Sequence, residues 1–155
     1  MSNRKRIEDI LKEEKIYVST TVGVSMYPML RNRRDTIIVE PYEGRLKKYD
    51  VPLYKRNSDY VLHRIIEVRE DSYVIRGDNC MEKEYGITDE QILGVLTGFY
   101  RGAKKVDMNG MGYKFYARFW HVLFPIRKLF IHMKWKAGKV YRFLRKGVKA
   151  NEKEK

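Results

Sequence analysis

"DYVLHRIIEV", residues 59–68, decides how this chain is read. Val, Ile and Tyr dominate it, turn-forming residues bound it, and so it predicts a β-strand. Inside that strand stands His63, flanked by Leu62 and Ile65. A histidine among apolar residues is either a satisfied core side chain or a base held in readiness, and spacing leaves both roles open.

Runs of the same character lie on either side: "KIYVSTTVGV", "DTIIVEP", "DVPLYKR", "DSYVIRGD" and "ILGVLTGFY". They are short, rich in Val, Ile, Tyr and Thr, and punctuated by turn residues, with no helical periodicity between them. The expected fold is mainly β, a compact coiled antiparallel domain. Before it, residues 3–14 predict a short helix with Ile7, Ile10 and Leu11 on one face.

The chain has 155 residues, 43% of them hydrophobic and 34% charged, with a formal net charge of +13. Residues 1–100 hold as many Lys and Arg as Asp and Glu, whereas residues 101–155 hold 16 of the first kind and 3 of the second. The whole excess lies in the last third. A composition boundary near Arg101 follows, dividing the chain into an N-terminal helix (1–15), a β domain (16–101) and a basic helical tail (102–155).

In the tail, "YKFYARFWHVLFPIRKLFIHMKWKAGKVYRFLRK" (113–146), apolar Tyr116, Phe119, Trp120 and Leu123, then Ile126, Leu129, Phe130 and Met133, recur at three- and four-residue steps. Pro125 should interrupt this helix. Aromatic residues on one face and Lys or Arg on the other suit a helix lying in a membrane interface. Each basic residue near an anionic leaflet contributes ~1 kcal/mol. The expected partner of residues 113–149 is therefore an anionic membrane surface, with nucleic acid the second candidate and plain packing the third.

Other classes are set aside. The single Cys80 excludes an intramolecular disulfide framework, and His63, His121 and His132 show no ligand spacing, so neither metal nor cofactor is expected. The charged opening "MSNRKRIEDILKEEK" is no signal peptide and no run is long enough to span a bilayer, which predicts a cytoplasmic protein attached peripherally to the membrane.

"VGVSMYPMLRNRRD" (22–35) places Ser25 between an apolar run and a proline turn, where a hydroxyl can cap, fill a turn or act as a nucleophile. "RGDN" (76–79) reads first as a turn. In order, "GVSMYPML", "RRDTIIVE", "KKYDVPLYKR", "YVLHRIIEV", "YVIRGDNC" and "ILGVLTGFYR" resemble the conserved boxes of the signal peptidase I superfamily, which also contains the self-cleaving repressors. The resemblance covers residues 20–101.

It implies a serine endopeptidase with Ser25 as nucleophile. In bacterial members the base is a lysine; His63 followed by Arg64 resembles the endoplasmic-reticulum and archaeal variant, in which histidine takes that place. With an ordinary pKa of ~6.5 a histidine is already largely neutral, where a lysine at ~10.4 must be desolvated. Asp78 in the Gly-Asp-Asn turn is the expected orienting acid; the variant's further aspartate is replaced here by Glu82 and Glu84. The Ser25 N–H is the expected oxyanion donor, and Gly23 stands where some relatives carry a second, hydroxyl donor. Lys55 is the alternative base. The missing span and the basic tail make a leader or membrane-proximal peptide segment the expected substrate. A self-cleaving regulator and a catalytically silent binding module are the alternatives.

Overall fold

The computed structural model describes residues 5–129 and residue 133. The first compact unit ends at His121, and a second begins at Val122. The expected antiparallel β architecture is present, built from β1 (Tyr17–Thr20), β2 (Asp35–Glu40), β3 (Pro52–Arg56), β4 (Asp59–Leu62), β5 (Arg64–Val68), β6 (Tyr73–Arg76), β7 (Glu84–Ile87), β8 (Ile92–Arg101) and β9 (Lys104–Asp107). Helix α1 (Ile7–Glu14) precedes the strands and α2 (Met111–Val122) follows them.

α1 forms where Glu8 and Asp9 meet the positive end of the helix dipole, and it stops at Lys15, whose φ of 60° is left-handed. Leu11 is its buried anchor. Completely burying a leucine contributes ~1.5–3 kcal/mol, enough to dock an eight-residue helix that could not persist alone.

The strands make two sheets. One has the order β1-β2-β8-β3-β4, with β9 also paired to β8; the other is β5-β6-β7. β8 is the spine of the first, pairing through Ile37↔Phe99 with β2, Leu53↔Gly94 with β3 and Phe99↔Val106 with β9. Gly94 permits the close approach, since a Cβ there would stand 2.7 Å from the Glu40 carbonyl oxygen. Two apolar cores result. Met26, Leu30, Val39, Leu53 and Phe99 form part of one, and Tyr54, Ile65, Tyr73, Ile75 and Ile92 part of the other.

The segment 59–68 is not one strand. β4 belongs to the first sheet and β5 to the second, and His63 is the single residue between them. The chain passes from one sheet to the other at this point, and the break falls at the ionisable residue.

The basic tail also begins later than composition suggests. Residues 102–107 are the turn and second strand of a hairpin, with Gly102 at φ 61° and Arg101 opposite Lys104. α2 then packs on the first unit. The tail's single aromatic stripe is divided between two faces: Tyr113, Tyr116, Ala117 and Trp120 turn inward, while Phe115 and Phe119 are exposed. The helix stops at Val122 and residues 124–129 resume helical geometry, so the interruption at Pro125 comes slightly early, at Leu123. Of the expected membrane segment, residues 130–149 other than Met133 lie outside the described residues.

One polar contact ties β5, the turn after β6, and α2 together. Arg64, its side chain 2% exposed, gives Nε and Nη2 to the two carboxylate oxygens of Asp78, both at 2.7 Å. Arg64 Nη1 also reaches the Tyr113 hydroxyl at 2.5 Å and the Tyr49 carbonyl at 3.1 Å. Tyr116 donates to Asp78 Oδ2 at 3.2 Å, and the Trp120 indole N–H to the Asp78 carbonyl at 3.0 Å. Burial opposes the guanidinium charge, but Asp78 and Tyr113 more than offset this and hold Arg64 above its ordinary pKa. Replacing Asp78 by Ala strands a buried cation, and urea unfolding should show a loss of about 3–5 kcal/mol. The double change Arg64→Met with Asp78→Leu should cost far less, because no charge is left unpaired.

Candidate functional site

Ser25 lies in the long connection between β1 and β2. The base of that connection is closed by the Thr21 N–H on the Asp35 carbonyl at 3.0 Å and the Arg33 N–H on the Thr21 carbonyl at 2.7 Å. Asp35 is completely buried, its Oδ2 accepting from the Arg31 N–H and from Arg101, each at 3.1 Å. Met26, Met29 and Leu30 sink into the core beneath the serine. The turn is therefore pinned from below and at its mouth.

It is pinned from above by the Gly-Asp-Asn turn. The Asn79 N–H donates to the Ser25 carbonyl at 2.7 Å, and the Asn79 side-chain amide to the Val24 carbonyl at 3.2 Å. Gly77 fills the narrow space between. A Cβ there would stand 2.7 Å from the Ser25 carbonyl oxygen, 2.7 Å from Cys80 Sγ and 3.0 Å from His63 Nε2. The Ser25 backbone and the His63 imidazole thus both border a position that only glycine can occupy.

His63 is 5% exposed, and its Nδ1 lies 2.8 Å from Glu84 Oε1 and 3.2 Å from the Tyr54 hydroxyl. A carboxylate only accepts, so the short contact requires the proton on Nδ1 and leaves the Nε2 lone pair directed elsewhere. Burial lowers the His63 pKa below its ordinary value; Glu84 works against this and Arg56 reinforces it. The ring is accordingly neutral at pH 7. Burial also resists ionisation of Glu84, but Tyr54, His63 and Arg56, the last at 3.2 Å, prevail and keep its carboxyl below the usual range.

The acid on His63 is therefore Glu84, at the start of β7, where Asp78 was the first expectation. Asp78 is committed to Arg64, and Asp78 and Arg64 serve the backbone of the site while Glu84 serves the ring. Glu82 contributes to neither pair. Lys55, the alternative base, gives its ammonium to Glu8 at 3.3 Å and does not line the groove described next.

Ser25 and His63 both border a groove of about 640 Å³. One wall is the free edge of β1 continuing through Thr21 to Gly23; Leu30, Leu53 and Leu62 supply an apolar floor, and Arg56 and Asp59 add charge. The size is that of a small-ligand or peptide site. Among the described residues the Ser25 hydroxyl and main-chain N–H have no hydrogen-bond partner, and the serine is not bonded to His63. Burial pushes the Cys80 thiol up, so it stays protonated and is a poor nucleophile.

Tyr54 and Arg56 were not singled out from sequence, although a signal existed. A two-residue turn at Asn57-Ser58 pairs Arg56 with Asp59 and Tyr54 with Val61, which carries Tyr54 to within reach of His63. No family model matches this chain, and no curated protein does.

An NMR titration checks the electrostatics. His63 should titrate below pH 6.5, and Glu84→Gln should lower it further by removing the carboxylate that does most to favour the imidazolium. Because the unfolded chain binds that proton more readily, the stability this ring contributes is complete above pH ~6.5 and declines as pH falls toward the folded-state value.

Proposed function

We propose that the chain is a serine endopeptidase of the signal-peptidase type, acting on an extended peptide segment at a membrane surface. The observation that carries this reading is the setting of His63, with Nδ1 on Glu84, Nε2 bordering the same space at Gly77 as the Ser25 carbonyl, and both residues lining an edge-strand groove.

Ser25 Oγ attacks the scissile carbonyl as His63 Nε2 takes its proton, and Glu84 stabilises the imidazolium. The Ser25 N–H receives the developing oxyanion, a contribution of ~10²–10³ in rate per donor. The tetrahedral intermediate collapses, imidazolium protonates the leaving amine, and water attacks the acyl-enzyme with His63 again as base. The substrate adds as a strand to β1, which pairs with β2 on one side only, and its side chains alternate into the groove. Among the described residues no helix is long and apolar enough to cross a membrane, and the basic residues beyond Arg101 supply peripheral attachment to an anionic surface.

The test is a comparison of new protein N-termini in cells carrying wild type or Ser25→Ala. Termini that require Ser25 support the reading, and identical maps with both proteins expressed leave a binding module. On a cleaved peptide, His63→Ala should lower kcat/KM by ~10²–10⁴. The acid limb of the wild-type profile should lie below pH 6.5, since His63 must lose its proton to act and burial makes that loss easier. A limb above pH ~8 would transfer the role to a lysine.

A further inference from the structure

The geometry points to the outward face of α2 as the surface by which the first unit docks on an anionic bilayer. This deepens the membrane part of the function proposed above and is independent of its catalytic part. Met111, Phe115 and Phe119 are 87%, 72% and 50% exposed, follow one another at four-residue steps, and so lie along one side of the helix. The Phe115 and Phe119 rings stack on each other, their centroids 5.9 Å apart.

That side cannot turn inward. The opposite side is fixed by the Tyr113, Tyr116 and Trp120 bonds to Arg64 and Asp78, and Ala117 between them is 1% exposed. Rotation to hide the phenylalanines would break those three bonds and expose the Arg64–Asp78 pair.

Charge selects the occupant. Exposed Lys114 and Arg118 stand one position before Phe115 and Phe119, and α2 contains no Asp or Glu. Apolar side chains edged by cations enter the headgroup boundary of an anionic leaflet, where the rings leave water and the cations meet phosphate. A second copy would set Lys114 and Arg118 against their own like, and a nucleic acid would use the cations without burying Met111.

The experiment is co-sedimentation of the full chain with phosphatidylglycerol/phosphatidylcholine vesicles and with pure phosphatidylcholine vesicles. It compares wild type, Phe115→Ser/Phe119→Ser and Phe115→Leu/Phe119→Leu, with Ser25→Ala as a control that should bind like wild type. Expected are binding to the anionic vesicles only, a loss of about tenfold or more in the Ser variant, and near-wild-type binding in the Leu variant, which restores burial without the rings. Because all variants keep residues 122–155, equal binding by the Ser variant and wild type would assign attachment to that segment alone and overturn the inference. Equal binding to both vesicle types would overturn it too. So would a self-association or nucleic-acid complex that the Ser variant loses while wild type ignores vesicles. No outcome depends on peptide cleavage, so a failed peptidase assay and a failed docking assay are distinguishable.

Discussion

The Arg64–Asp78 pair is the constraint on which the rest of this structure depends. Both side chains are almost wholly removed from water, a condition tolerated only with complete pairing. An apolar pair of similar volume would serve a core as well, but it would not make the two directed hydrogen bonds that tie β5 to the turn after β6. With the pair in place, the neighbours of each partner are placed as well. His63 precedes Arg64 and meets Glu84, and Asn79 follows Asp78 and meets Ser25. α2 closes over the pair with two phenols and an indole, which makes this helix part of the body and not an appendage.

Much of the architecture was legible in the sequence because β-branched runs separated by turn residues leave few alternatives to an antiparallel sheet. α1 was legible from three apolar positions. The break at His63 was not, since residues 59–68 are uniformly strand-like and only the transfer between two sheets interrupts them. β7 was missed because "EYGI" is short and mixed, and β9 because "KKVD" is more charged than a strand usually is. Both are made by pairing with a stronger neighbour, a tertiary effect that local propensity does not contain. Net charge misplaced the end of the body for the same reason, as lysines at a hairpin are counted with the tail although their backbone belongs to the sheet.

At the site, Ser25 and His63 were candidates singled out through the ordered boxes of the resemblance, residue type alone leaving their roles open, and the structure puts both on one groove. The choice between Asp78 and Glu84 was not open to spacing, because it is settled by which carboxylate Arg64 takes. Arg64 takes Asp78 with two matched hydrogen bonds, and the His63 imidazole pairs with Glu84. Neutrality of the ring then follows from burial, and its tautomer from an acceptor-only neighbour.

Residues 77–79 illustrate how much can rest on a single turn. Gly77 yields space to the imidazole, Asp78 neutralises the buried guanidinium, and Asn79 holds the carbonyl of Ser25, three consecutive residues each serving a different element. Such a segment is phase-locked. Conservative side-chain exchange at one position perturbs one partner, whereas insertion or deletion of one residue misaddresses all three together, so length here is a stricter inheritance than composition.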